Sequence, residues 1–83
     1  MTHNRKHDQT ASDDGRRTSR AKLRILLPHW IEHNEEHAAS FQRWVARARE
    51  LGWEETAQGI EEAVERMTAC NEALAAALEG LEG

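Results

Sequence analysis

The amino-acid sequence predicts an all-α protein, an antiparallel helical hairpin that dimerises into a four-helix bundle. Three observations predict it. Leu27, Ile31, Asn34, Ala38, Phe41, Val45 and Ala48 step by alternating fours and threes, which puts them on one face of a helix. Ala57, Ile60, Val64, Met67, Asn71, Leu74, Leu78 and Leu81 continue the pattern as an unbroken heptad seam. Between the two stretches lies Gly52-Trp53, a connection so short that the helices must run antiparallel.

The first helix is expected over about residues 28–51. Pro28 suits a first helical turn, where a missing N–H costs nothing, and Ala21–Leu27 forms either a separate turn ahead of it or a kinked continuation of the helix. Glu32, Glu35 and Glu36 near the start and Arg43, Arg47 and Arg49 near the end match the helix dipole, and Gly52 is the natural stop. The second helix is expected over about residues 54–79, weakened at Gly59 by about 1 kcal/mol relative to alanine. A lone hairpin has little core. Trp30, Trp44 and Leu51 lie beside the first seam, and the small residues Ala63, Cys70 and Ala77 flank the second. A second hairpin could approach closely there, so a homodimer is the expected assembly. The three tryptophans, Trp30, Trp44 and Trp53, are read as packing residues, with Trp53 folded back over the hairpin end.

Composition narrows the class further. In 83 residues there is one cysteine, so an internal disulfide is excluded. No run of 18 apolar residues occurs, which argues against a membrane span. No apolar stretch follows the start, so no secretory signal is expected and the cytoplasm is the expected location. The net charge of −4 hides a split. Residues 1–24 hold seven Lys/Arg against three Asp, or +4, and residues 25–83 hold four Arg against twelve Glu, or −8. An acidic body with a short basic arm is not the footprint of a nucleic-acid binder, whose folded face is itself basic.

Residues 1–20 read as a disordered basic arm, with residues 21–83 forming the helical hairpin. Nothing apolar recurs in the arm to offset its ordering entropy. Its basic residues could touch phosphates weakly, diluted by Asp8, Asp13 and Asp14. Met1-Thr2-His3 has the spacing of a square-planar Cu(II) or Ni(II) chelate.

The informative residues are those that interrupt the apolar stripes. At about 100° per residue, Asn34 and His37 point toward the middle of the buried face. His33 lies on its flank, and His29 and Glu36 lie at its rim. Three histidines at i, i+4 and i+8 thus form a ridge. An antiparallel register in which paired numbers sum to about 107 sets His37 opposite Cys70 and Asn34 opposite Ala73, with Asn71 within a turn. His33 and His37 can clip one divalent ion, to which Glu36, His29 and Cys70 could add ligands. Asn34 and Asn71 would orient the imidazoles from outside the ligand set. Imidazole with carboxylate suits Ni, Co, Zn or Fe without choosing among them.

Other readings compete. A single Asn at a seam position is best attested as a device that fixes register and oligomer number. A layer of Asn34, His37 and Asn71 would serve a structural or adaptor dimer that docks a partner protein. Cys70 alone is more often a small packed residue than a ligand. His33-Asn-Glu-Glu36-His37 matches the H-x-x-E-H pattern of inverted zinc peptidases. That chemistry needs a third ligand and a substrate cleft, and a hairpin has almost no room for one. Glu36 directly precedes His37, so the four-helix di-iron spacing is absent. No catalytic residue is assigned, and the Glu-rich outer surface is read as a solvated face.

The segment Leu27-Pro-His-Trp-Ile-Glu-His-Asn-Glu-Glu-His37, with Ala69-Cys-Asn-Glu-Ala-Leu74, resembles a small bacterial helical domain of uncharacterised function found alone or beside nickel- and cobalt-handling proteins. The resemblance covers about residues 23–81. Its motif falls on His29, Trp30, His33, Asn34, Glu36, His37 and Asn71. It implies a metal-related role of binding, sensing or delivery, with a metal-handling protein as a partner.

Overall fold

A computed structural model describes residues 13–83 as two long antiparallel helices, α1 (Asp13–Glu50) and α2 (Glu54–Glu82), with no strand among the described residues. The hairpin turns on a tight C-terminal cap. The Gly52 N–H donates to the Arg49 carbonyl at 3.0 Å, and the Trp53 N–H to the Ala48 carbonyl at 2.8 Å. This double bond pattern requires a left-handed residue after the helix, and Gly52 supplies it with φ +83°. α2 starts at once, the Ala57 N–H reaching the Trp53 carbonyl at 3.0 Å.

Both seams point inward. Leu27, Val45 and Ala48 of α1 and Ala57 and Val64 of α2 are buried, and the remaining seam residues are half-buried. Val45, Ala48 and Ala57 cluster next to the turn, with Ile60 packed on them. Ala57 has no exposed surface at all. Two alanines facing each other let the backbones close where the turn has just joined them.

α1 differs from expectation at its start. It begins at Asp13, so residues 13–20, expected in the arm, are helical. The local reasons are legible afterwards. Asp13 and Asp14 occupy the first turn, where carboxylates favour the dipole, and arginine, alanine and lysine are good helix formers. Residues 1–12, including the His3 chelate and Arg5 and Lys6, lie outside the described residues. Pro28 lies inside the helix, so of the two arrangements left open for Ala21–Leu27 it is the continuous one that forms. Proline withholds the N–H that would reach the Arg24 carbonyl, and it disfavours helical geometry at the preceding residue. Leu27, that preceding residue, is held by burial. At the far end α2 runs past Gly80 to Glu82 rather than stopping near residue 79. Leu81 is half-buried there, and Glu82 Oε2 meets Arg24 Nε at 3.1 Å. α1 therefore projects beyond α2 from Asp13 to about Leu23.

The result is one layer. The Cα envelope measures 58 × 29 × 15 Å, long and thin as two helices side by side require. The radius of gyration is 18.9 Å, against about 12 Å for a compact domain of this length. The tryptophans expected to be packed are at the surface of this layer. Trp30 is 41 % exposed, Trp44 61 % and Trp53 58 %, because α2 covers only the Leu27–Ile31–Asn34–Ala38 side of α1. Among the described residues no helix is long and apolar enough to cross a membrane.

Two substitutions test this description by urea unfolding followed by helical circular dichroism. Pro28→Ala restores a helix hydrogen bond and is expected to stabilise the chain by about 2 kcal/mol. Ala57→Leu forces side-chain volume between the closest backbones and is expected to destabilise by about 1–3 kcal/mol.

Candidate functional site

Midway along the hairpin the apolar seam is broken by one polar layer. Asn34 Nδ2 donates to Asn71 Oδ1 at 2.9 Å, and Asn71 Nδ2 donates to the Ile31 carbonyl at 3.3 Å. Both side chains are half-buried. Asn34 Nδ2 also lies 3.8 Å from Cys70 Sγ, a weak contact. The layer was expected from the sequence, but its pairing is shifted. Asn34 meets Asn71 and Cys70 rather than facing Ala73, since the helices sit a few residues closer to the turn than a sum of about 107 implies.

The histidine ridge stands beside this layer on the exposed side of α1. His29 and His33 are stacked, with centroids 6.3 Å apart and planes at 7°. His33 and His37 meet edge-on at 4.6 Å. Phe41 continues the row, 6.0 Å from His37. This row follows from i, i+4 spacing, which stacks side chains one turn apart. All three imidazoles are exposed, as are Glu36 and Cys70. His37 was expected to point into the seam; instead it lies outside it, because α2 is centred on the Asn34 side of the helix.

The single chain brings two of the expected ligands within one ion's span, His33 and His37. Among the described residues no three His, Cys, Asp or Glu side chains converge as a metal-holding group. Nor does any hydrogen bond among the described residues join an imidazole to Asn34 or Asn71, which satisfy each other. The H-x-x-E-H residues lie on an open helix surface with no cleft above them.

Two open grooves run along the hairpin, one on each side of the seam. One passes Ile31, Glu35, Gln42, Thr68, Asn71 and Glu72 and is polar at its edges. The other lies on the histidine side and is almost wholly apolar, lined by Phe41, Trp44, Thr56, Gly59, Ile60 and Ala63. Sequence reasoning did not find this second groove, although Gly59 inside a helix was a signal for it. At the turn end, Arg49 bridges Glu54 and Glu61 at 3.2 and 2.9 Å. The hydrogen bond to Glu61 first, and that to Glu54 second, hold its pKa above the ordinary value. This bridge ties α1 to the first turns of α2 and belongs to the scaffold.

No curated protein matches the chain, and no solved structure does. One family does match, from Leu23, where α1 begins to pack on α2, to Leu81 at the end of the seam. That span holds the whole hairpin, the asparagine layer and the histidine ridge, and on it the chain belongs to the family described as a domain of unknown function, DUF8180.

Proposed function

We propose that the protein binds a divalent transition metal through His33 and His37, and that it does so as a bundle of two hairpins. The observation that carries this reading is the pair of imidazoles 4.6 Å apart on an exposed helix face. Two rings one turn apart can turn their nitrogens onto one ion with small side-chain rotations. Glu36, one residue from His37, and His29, one turn from His33, are further donors on α1, and Cys70 is the only thiol. Two imidazoles from one chain leave the remaining positions of a tetrahedral or octahedral ion to water, to these donors or to a second chain. The donor set suits Ni, Co, Zn or Fe. The role is binding, sensing or delivery in the cytoplasm rather than turnover, since an exposed helix face offers no enclosed place for a substrate.

The bundle is supported by the one-layer shape. Domains bury their apolar faces between two layers, and here, among the described residues, only five hydrophobic residues are buried, three of them no larger than alanine or valine at the turn. A second reading is favoured by a separate observation. The Asn34–Asn71 pair is satisfied without help from the imidazoles, as a layer that sets register and oligomer number requires. In that reading the protein is a structural dimer whose surface docks a partner protein.

An anaerobic Co(II) titration of metal-stripped protein separates the two. Saturable visible d–d bands are expected in wild type, with affinity lowered at least about 100-fold in His37→Ala. A thiolate charge-transfer band would add Cys70 to the ligands. Flat spectra in both proteins would sink the metal reading and leave the register-setting layer. That layer has its own test. Asn34→Leu with Asn71→Leu is expected to raise the unfolding midpoint while broadening the distribution of oligomers in sedimentation.

A further inference from the structure

The side of α1 that α2 leaves open carries a second stripe. Leu23, Trp30, His37, Trp44 and Leu51 recur at every seventh residue. Trp44, Leu51 and Trp30 are 61 %, 44 % and 41 % exposed, although this is a heptad pattern of the kind that seams are made of. The stripe is also a palindrome. Residues whose numbers sum to 74 match in kind about His37: Leu23 with Leu51, Trp30 with Trp44, and His33 with the aromatic ring of Phe41. A stripe that reads the same in both directions is complementary to its own reverse, which is what a two-fold contact between identical antiparallel helices demands.

We infer that a second copy of this chain packs α1 against α1 across this stripe, antiparallel, with the two-fold axis at His37. Register then places Trp30 of the partner subunit at the level of Trp44. There the apolar groove lined by Phe41, Trp44, Gly59, Ile60 and Ala63 lies open beside α1, ready to take an indole. Gly59 gives independent support. A Cβ at Gly59 would touch nothing within the hairpin, so the hairpin itself does not need a residue that costs about 1 kcal/mol in a helix. A side chain entering the groove from outside does need it. The exposed parts of Leu26, Trp30, Trp44 and Leu51 amount to roughly 400 Å² per chain. The histidine ridge and the groove floor bring the buried area toward the roughly 800 Å² per partner of a standard interface. A strict seven-residue repeat drifts around a straight helix, so the pair coils left-handed to keep the stripe in contact.

This dimer rests on the pairing of two hairpins proposed above but not on the metal. It adds one thing to the metal reading. At the axis the partner subunit's His33 and His37 meet His33 and His37 of this chain, so four imidazoles converge where the single chain supplies only two.

The test uses the full chain with Cys70→Ala as background. Sedimentation equilibrium is expected to show a dimer. Mild oxidation of His37→Cys is expected to link it to itself as a two-chain species. Trp30→Cys alone should not link, its counterpart lying 14 residues away along the helix, whereas mixing it with Trp44→Cys should. Gly59→Leu is expected to keep full helical circular dichroism while raising the dimer dissociation constant roughly 100-fold, as filling a central pocket does. A dimer that fails to link through position 37, or a Gly59→Leu dimer as tight as wild type, overturns the axis and leaves the pairing of hairpins standing elsewhere. A wild-type monomer at about 100 μM, weaker than the micromolar range of specific interfaces, overturns both. A dimer linked through Trp30→Cys and Trp44→Cys, which keeps His33 and His37, overturns only the metal if it shows no cobalt bands.

Discussion

At the turn, Ala57 has no exposed surface and Ala48 almost none, so two small side chains are packed shut one turn either side of Gly52. That contact, with the glycine cap and the Arg49 bridge to Glu54 and Glu61, sets where every later residue of α2 falls against α1. The asparagine layer and the Arg24–Glu82 pair lie where the register fixed at the turn carries them. Because α2 is laid on the Asn34 side of α1, the Trp30–His37–Trp44 side is left facing outward. The histidines are exposed as a consequence of alanines at the turn.

The seam buries little. Moving outward from Val64 and Leu27 the interface is half-buried residue by residue, and its centre is spent on two asparagines rather than two leucines. A buried amide pair is worth little in net stability compared with apolar packing of the same volume. What it supplies is discrimination, since sliding the helices by one turn would strand both amides against apolar side chains. The core that carries this cost is small, and the exposed tryptophans are the largest apolar side chains the hairpin leaves open among the described residues.

Much of the hairpin was legible because period is a strong signal. All seam residues of both helices, the stop at Gly52 and the start at Glu54 are where the 3,4 spacing placed them. Asn34 and Asn71 were legible as a pair for the same reason, as the only polar breaks in two stripes meeting at one level. The failures are equally physical. The helix before Leu23 buries nothing, so hydrophobic period could not report it; only capping carboxylates and local propensity could. Pro28 suggested a start because proline is usually excluded from helix interiors, and its placement depends on tertiary burial of Leu27. His37 lies outside the seam because one partner helix covers a narrower arc than the apolar stripe and the tryptophans together span, and that arc is on the asparagine side.

The two proposals about His37 are coupled by linkage. A metal held by both copies binds the dimer and not the monomer, so it tightens association by the same free energy by which association tightens the metal. The Trp30 and Trp44 contacts must then hold the metal-free dimer on their own, and their hydrophobic contribution is indifferent to the metal. On the two proposals the stripe would divide the work, with aromatic residues one heptad to either side supplying association and the imidazoles at the centre supplying its dependence on a ligand. A histidine at the axis of a helix pair is a poor choice for packing alone, where leucine would bury more apolar area and leave no ring nitrogen unpaired. Its position at the centre of the Leu23, Trp30, Trp44 and Leu51 stripe is therefore the feature that a metal-dependent dimer would explain and packing alone does not.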